Sequence, residues 1–511
     1  MLRKWRGFAF VFAFCGMAGL LAGTVLAASP SPMRGGRLRV ADDPPGGPFG
    51  VPWKRGIYGS IPASVVFEAP FWGDARGRIY PYLVERWELS PDRRTLTLRV
   101  RRNVRFHDGT ELDAEAMRFN VQKQIEHRRL PRMVQSAETV DRYTLRVNLS
   151  EWHNGILLWL DGLGSTEIVS PRHVQRLGED RAQWEPVGTG PFRVTRYDPN
   201  AYAEFVRFPG YWDPGKPYLD RLEMRFFRDQ QTLKAALLAG QLDVAGFSDP
   251  VIISELKATG RFQLISGLHT VNIALVPDSA NADSPLADRR VREAVYSAID
   301  RESIARALGY GVFEASNQIA HPGHNAALRD FPLSPYDPAR ARRLLAEAGY
   351  PDGFRTRLIF DPTVVSREIA TALQGYLERV GVRADLDMVD RPRFAEYQQK
   401  GWRGFLIETM SYVANFNSWV EFFFTNPPAV YASMRRPPEL EKVWQESRTT
   451  LTPQRHKLQL LHRVLLQDLT VVPVMIGPRK VYIAQPYVRN TGHLQGGTWP
   501  RWRPGDAWIA R

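Results

Sequence analysis

Only one of the 511 residues is a cysteine, Cys15, and it lies inside an apolar run near the amino terminus. Beyond that run the chain has no disulfide to staple it, no thiol nucleophile and no thiolate metal ligand. Hydrolase and nucleotide signatures are missing as well. There is no Gly-x-Ser-x-Gly elbow, no His-Glu-x-x-His helix and no phosphate loop ending in Gly-Lys-Ser/Thr. Acidic residues are in deficit, 54 Asp and Glu against 68 Lys and Arg, for a formal charge of +14. The excess is dispersed as pairs such as Arg101-Arg102, Arg128-Arg129, Arg289-Arg290 and Arg342-Arg343, each with acids nearby. Nucleic-acid tracks concentrate charge on one face, so no nucleic-acid partner is expected, while a general attraction for anionic solutes or membrane surfaces stays open. No internal repeat and no low-complexity segment stand out beyond Pro/Gly loops.

What is present begins with Met1-Leu2-Arg3-Lys4-Trp5-Arg6-Gly7, three positive charges, followed by residues 8–28 without a charged side chain and ending in small residues. This pattern predicts a signal peptide over residues 1–27, cleaved after Ala27, with an uncleaved anchor as the alternative; either way the bulk of the chain is expected outside the cytoplasm. Cys15 lies in a poor lipoprotein box, so lipidation is not expected. Removing residues 1–27 takes away three basic residues and no acidic one, which leaves 65 against 54 and a charge of +11. With 44% hydrophobic residues and 14 Trp, 18 Tyr and 26 Phe, the chain can bury large cores and line a pocket. Its length exceeds what one core usually sustains, so at least two lobes are expected.

Local patterns predict an α/β chain. Residues 37–41 read as a short strand, and the Pro/Gly-rich stretch 43–62 reads as a long irregular loop, which in a compact protein tends to be functional. Residues 94–100 and 143–149 alternate polar and apolar as half-buried strands do, and Asp113 stands where it can cap a helix through the amides of Glu115 or Ala116. Strands are expected at 192–196, 203–207 and 221–227, and a helix at 230–239 ending on Gly240. Downstream, helical spacing at 291–308, 338–348 and 366–380 alternates with strand-like runs at 356–360, 384–389 and 405–409. The acidic pairs Asp42-Asp43 and Glu179-Asp180 lie in polar, turn-like segments where exposure is the default.

Several of these segments carry a resemblance. Pro81-Tyr82-Leu83-Val84-Glu85-Arg86-Trp87-Glu88-Leu89-Ser90, Val104-Arg105-Phe106-His107-Asp108-Gly109-Thr110, and Gly188-Thr189-Gly190-Pro191-Phe192 with Tyr211-Trp212 and Lys216-Pro217-Tyr218-Leu219-Asp220 resemble blocks of the family 5 solute-binding proteins of bacterial peptide and nickel ABC importers. Arg290-Val291-Arg292-Glu293-Ala294 with Ala298-Ile299-Asp300-Arg301, and Tyr336-Asp337-Pro338 with Leu345-Ala346-Glu347-Ala348-Gly349-Tyr350, continue the likeness in order and spacing. The resemblance implies a two-lobed periplasmic-binding-protein fold (type II, cluster C) with an extra α+β domain inserted in the first lobe. Transferred to this chain, lobe I takes residues 36–62, 182–268 and 482–511, the insert 63–181, and lobe II 269–481. It also implies a periplasmic, monomeric, non-enzymatic receptor that closes on a small-molecule or peptide-like solute and delivers it to an ABC permease in the inner membrane, with no cofactor. A secreted hydrolase and a ligand sensor not coupled to transport remain the alternatives.

The likeness also places the ligand. Residues 411–421 occupy the position of a cleft loop in which dipeptide-binding members carry an aspartate that anchors the peptide amine. Asn415 stands there in this chain, Ser418-Trp419 replaces an Asp-Pro pair, and no arginine stands at 360–362, where those members have their carboxylate clamp. A carboxamide cannot supply the charge-assisted bond a buried ammonium needs, so a neutral, anionic or aromatic solute is expected rather than a dipeptide. The candidate ligand-binding residues are Trp53 and Tyr58 in the long loop and Tyr412, Asn415, Phe416, Asn417 and Trp419 in the cleft segment, with core or turn roles as the alternative for each. Arg128, Arg129 and Arg132 read as a solvated charged face, with reach to an anionic ligand as the alternative. His321 and His324, two imidazoles in a Pro/Gly loop without nearby carboxylates, do not make a metal site.

Overall fold

The computed structural model describes residues 31–510 apart from 56–60, 75, 163–165, 268–269, 332–334, 412–414, 426–429 and 492–501. The expected signal peptide at 1–27, Tyr58 and Tyr412 lie outside the described residues. Among those described, no helix is long and apolar enough to cross a membrane.

Three sheets organise the chain. The first has seven strands in the order 263–265, 481–484, 244–247, 37–42, 221–226, 202–207 and 192–198. Its central strand, Arg37–Asp42, runs parallel to both Arg221–Phe226 and Val244–Phe247. Central parallel strands need cover on both faces, and the residues supply it by alternation. Leu38 and Val40 enter one apolar core, whereas Ala41 enters another with Leu233, Leu237 and Ile252 from flanking helices. The second sheet has six strands in the order 314–315, 472–478, 270–277, 405–411, 354–360 and 382–388. Strand Thr270–Pro277 is buried throughout, with Ile273 and Leu275 on one face and Ala274 and Val276 on the other. The third sheet is an antiparallel four-stranded layer over residues 84–149, with helix Ala114–Glu126 packed beside it. Leu96, Leu98 and Val100 alternate inward from strand Thr95–Val100, as their spacing predicts.

The chain passes between the two large sheets twice, side by side. Strand Gln263–Ile265 lies antiparallel to Val481–Ala484 in the first sheet, and Thr270–Pro277 lies antiparallel to Val472–Pro478 in the second. The crossings therefore fall between Ile265 and Thr270 and between Pro478 and Val481.

The sequence blocks that carry the resemblance hold one another. The His107-Asp108-Gly109 turn, with Gly109 at φ +84°, docks on the 188–191 loop through the His107 amide on the Gly188 carbonyl at 2.9 Å and the His107 ring on the Gly190 carbonyl at 2.8 Å. Glu68, 2% exposed, accepts hydrogen bonds from Tyr82 (2.5 Å), Tyr211 (2.8 Å), Thr189 (2.8 Å) and the Trp212 indole (2.8 Å). One buried carboxyl thus ties the 81–90 block to both the 188–192 and 211–212 parts of the next.

Helix starts follow local chemistry. Asp113 accepts from the Ala116 amide at 2.9 Å, and Asp300 and Asp337 cap through Ser303 and Arg340. Two expectations change. The helical spacing at 291–308 belongs to two helices, Arg289–Ala298 and Arg301–Leu308, because Asp300 caps the second and ends the first. The stretch 43–62 is not wholly irregular: it contains the 3-10 turn Pro52–Lys54 and the start of helix Ile61–Val66, where Pro62 sits in the first turn and its missing N–H breaks no helical bond.

Candidate functional site

A cleft of about 920 Å³ opens between the large sheets. Its walls come from every part of the fold: Asp43 and Ser248 just past the carboxyl ends of two inner strands of the first sheet, Trp159 from the third layer, and Glu408, Thr409, Trp419, Phe422, Phe423 and Tyr431 from the second sheet's unit. Arg479 and Lys480, at the chain crossing, complete it. The volume suits a small organic molecule.

One wall is aromatic. Trp419 is 1% exposed; its ring stacks on Phe416 at 5.3 Å and 18°, and its indole N–H donates to the Ser411 carbonyl at 3.1 Å. Only its edge meets the cleft, and Phe416 lies behind it in the apolar core with His462. Among the described rings that line the cleft, Phe422, 40% exposed, is the most solvent-exposed.

The polar wall is more specific. Glu408 projects from the apolar strand Phe405–Ser411 and is 5% exposed. Burial raises its carboxyl to about 7 against partial relief from the Thr409 amide, Arg391, Tyr431 and Gln398. Near neutrality it is therefore partly protonated, able to donate as well as accept. Arg391 opens helix Arg391–Lys400 and lies 3.9 Å from the buried Asp361 carboxylate, and Arg479 donates to the Ser411 hydroxyl at 3.1 Å. Lys480 binds Asp42 and, at 2.6 Å, Asp43. Burial lowers its affinity for a proton, but the two carboxylates more than offset this and hold the ammonium above its usual range. Asp42 also accepts from Tyr482 at 2.7 Å and is 5% exposed, so the exposure expected for the Asp42-Asp43 pair is corrected for Asp42 alone; Asp43 is exposed, and through Lys480 both carboxylates hold the crossing segment to the first sheet.

The other sequence candidates have defined places. Asn415 is the N-cap of helix Phe416–Phe424: its Oδ1 accepts from the Asn417 and Ser418 amides at 2.9 and 3.3 Å, and its Nδ2 donates to the Asn154 carbonyl at 3.4 Å. Asn417, fully buried, donates to the Asn154 side chain at 3.2 Å. Both polar tips thus join the cleft helix to residues 151–155 of the third layer, where His153 also faces Glu421 at 3.2 Å and Arg448 pairs with Glu151 at 3.0 Å. Trp53 does not line the cleft. It is 1% exposed in the first sheet's core, edge-on to Phe119 at 6.1 Å. His321 and His324 each turn a ring nitrogen to a backbone amide of their own loop, and among the described residues no cluster of three His, Cys, Asp or Glu could hold a metal ion.

Sequence reasoning missed Glu408, Arg391, Trp159, Phe422 and Lys480. Glu408 carried one legible signal, a carboxylate in the middle of a run otherwise reading as a buried strand.

Two α/β units joined by paired crossings, with a cleft between them, define the class of bilobal solute receptors, the periplasmic-binding-protein fold. Residues 78–429 match the profile of the bacterial extracellular solute-binding proteins, family 5. The chain belongs to this family, the substrate-binding proteins of ABC transporters. The glutathione-binding protein GsiB of Salmonella paratyphi A is 28% identical over 348 residues, 66% of this chain and 67% of that protein. An ABC transporter substrate-binding protein from Sinorhizobium meliloti is 25% identical with a TM-score of 0.75, covering 93% of this chain and 100% of that one. HbpA2 from Haemophilus parasuis, 20% identical, superposes with a TM-score of 0.80 over 93% of this chain and 100% of its own.

Proposed function

We propose that this protein works outside the cytoplasm, after loss of residues 1–27, as a monomeric receptor that captures a small organic or peptide-like solute and hands it to an ABC permease in the inner membrane without altering it. In this reading the first sheet's unit is lobe I (36–62, 182–268 and 482–511), the four-stranded layer is an insert (63–181), and the second sheet's unit is lobe II (269–481). The cleft carries the proposal. It draws residues from all three units and from the crossing, so filling it changes how the units sit on one another, which is what a ligand must do to bias a hinge.

The solute that suits these walls has a flat apolar part for Phe422 and the Trp419 edge and oxygen acceptors for Arg391, Arg479 and the Glu408 proton. The name of the relative GsiB brings peptide-like solutes such as glutathione into range. An ammonium anchor at Asn415 is disfavoured, because its carboxamide oxygen is used by its own helix. A thermal-shift screen over peptides, sugars, opines, aromatic acids and metal chelates tests the reading. A solute at a hundred times its Kd adds about 2.7 kcal/mol of stability. A selective response to one class is expected, and turnover of any ligand on prolonged incubation would overturn the non-enzymatic part.

A further inference from the structure

The third layer and the second sheet's unit both line the cleft, through Trp159 and through helix Phe416–Phe424, and they also touch each other directly. Buried Asn154 is the centre of that contact. Its amide N–H donates to the Arg448 carbonyl at 2.8 Å, and its carbonyl accepts from Asn415 at 3.4 Å. Its Nδ2 donates to the Ser447 carbonyl at 2.8 Å and to Thr450 Oγ1 at 3.1 Å, while its Oδ1 accepts from Asn417 at 3.2 Å. Each of its four polar groups thus meets the second sheet's unit. Beside it the Trp152 indole N–H donates to the Thr450 carbonyl at 3.0 Å. The fit is close. A Cβ on Gly155 would collide with Ser418 Oγ and the His153 ring, although Gly155 has an ordinary helical φ of −80°, so the glycine serves the approach rather than the backbone.

This contact differs in kind from the one the layer makes with the first sheet's unit. There the two share apolar packing: Val187 and Trp212 join the layer's core, and Phe119 packs into the core of the first sheet. Among the described residues no apolar core joins the layer to the second sheet's unit. Hydrogen bonds exchange for bonds to water when two surfaces part, whereas parting a shared core exposes apolar area. The layer therefore moves with the first sheet's unit, and the Asn154 contact is the one that opens. The helix between contact and cleft serves both, since Asn417 and Glu421 face the layer while Trp419 and Phe422 line the cleft. We propose that residues 151–155, centred on Asn154, are a latch through which the third layer holds the second sheet's unit closed with or without a solute, and that helix Phe416–Phe424 couples the latch to solute binding. The proposal rests on the two-lobed reading above, but not on which solute the cleft takes.

The test is hydrogen exchange read by mass spectrometry, together with small-angle X-ray scattering, on the full chain dialysed free of small solutes. In the parent, the amides of residues 152–155 are expected to be protected. Asn154→Ala keeps the main chain and removes three side-chain bonds, so it should speed exchange at 152–155 about tenfold and enlarge the radius of gyration, while strands Thr95–Val100 and Thr270–Pro277 exchange as before. Unchanged strands separate a latch from a contact on which the whole fold depends. Glu151→Ala removes only the exposed partner of Arg448 and should speed exchange at 152–155 about threefold, which keeps the proposal open to refutation if the first variant does not fold. Unprotected amides in the parent, an unchanged radius or unchanged exchange in folded Asn154→Ala, unchanged exchange in Glu151→Ala, or faster exchange spreading to both strands would overturn the latch. Silence in the thermal-shift screen would instead count against solute capture and leave the latch standing.

Discussion

Replacing Glu408 by glutamine tests whether the cleft carries a carboxyl that is neutral in acid and costly when charged. The folded group titrates at about 7 against an ordinary value of 4.5, because burial disfavours the carboxylate more than Gln398, Tyr431 and Arg391 favour it. Since the folded value lies above the unfolded one, its contribution to stability is whole below about pH 4.5 and is lost as pH rises through about 7. Each unit of difference is worth about 1.4 kcal/mol, so the charged carboxylate costs the fold about 3 kcal/mol at pH 8, of which about 2 to 3 kcal/mol develops between pH 5 and pH 8. Glutamine keeps the shape, still accepts from the Thr409 amide now 2.9 Å from Glu408, and does not ionise. Urea unfolding of parent and Glu408→Gln at half-unit steps from pH 5 to 8 should show similar midpoints in acid and a variant increasingly more stable toward pH 8. A difference that stays flat, or grows toward acid, would refute the assignment of a buried, proton-holding carboxyl to this wall.

Phe422→Ala removes a ring that is already 40% exposed, so folding should change by less than about 1 kcal/mol while solute affinity falls by about 1 kcal/mol or more, read by calorimetry once a solute is found. Asn415→Ala removes the cap of helix Phe416–Phe424 and should cost about 1 kcal/mol in urea unfolding, with much of it restored in Asn415→Ser; unaltered stability in the alanine variant would contradict the capping role. Glu68→Gln sets an amide N–H₂ against two of the four donors that Glu68 now receives, so a loss of about 2 kcal/mol or more is expected, and a neutral result would mean the network does not bind the blocks together.

Much of the scaffold was legible because the forces that build it act over short stretches. Alternation at 94–100 and 143–149 declares a face, and Asp113, Asp300 and Asp337 reach amides only three residues ahead. The family resemblance rested on such local blocks, and matching of residues 78–429 to the family upholds it. The cleft was legible only in part. Residues 415–419 could be singled out, but whether Asn415 faces a ligand or caps its own helix depends on a local geometry that either role permits in sequence.

Other features have no local signature at all. Asp42 and Lys480 stand 438 residues apart, and only the return of the chain at its second crossing sets an ammonium beside two carboxylates. Glu68 reads as one more acid after a helix until folding converges Tyr82, Thr189, Tyr211 and Trp212 on it. Glu408 acquires its near-neutral titration from burial, a property of the packed sheet rather than of its neighbours in sequence. Sequence alone determined which elements form and to which family they belong, since periodicity, caps and turns are written within a few residues. Tertiary structure decided which charges are buried, paired or left facing the cleft, because desolvation and long-range contacts exist only once the sheets have closed on one another.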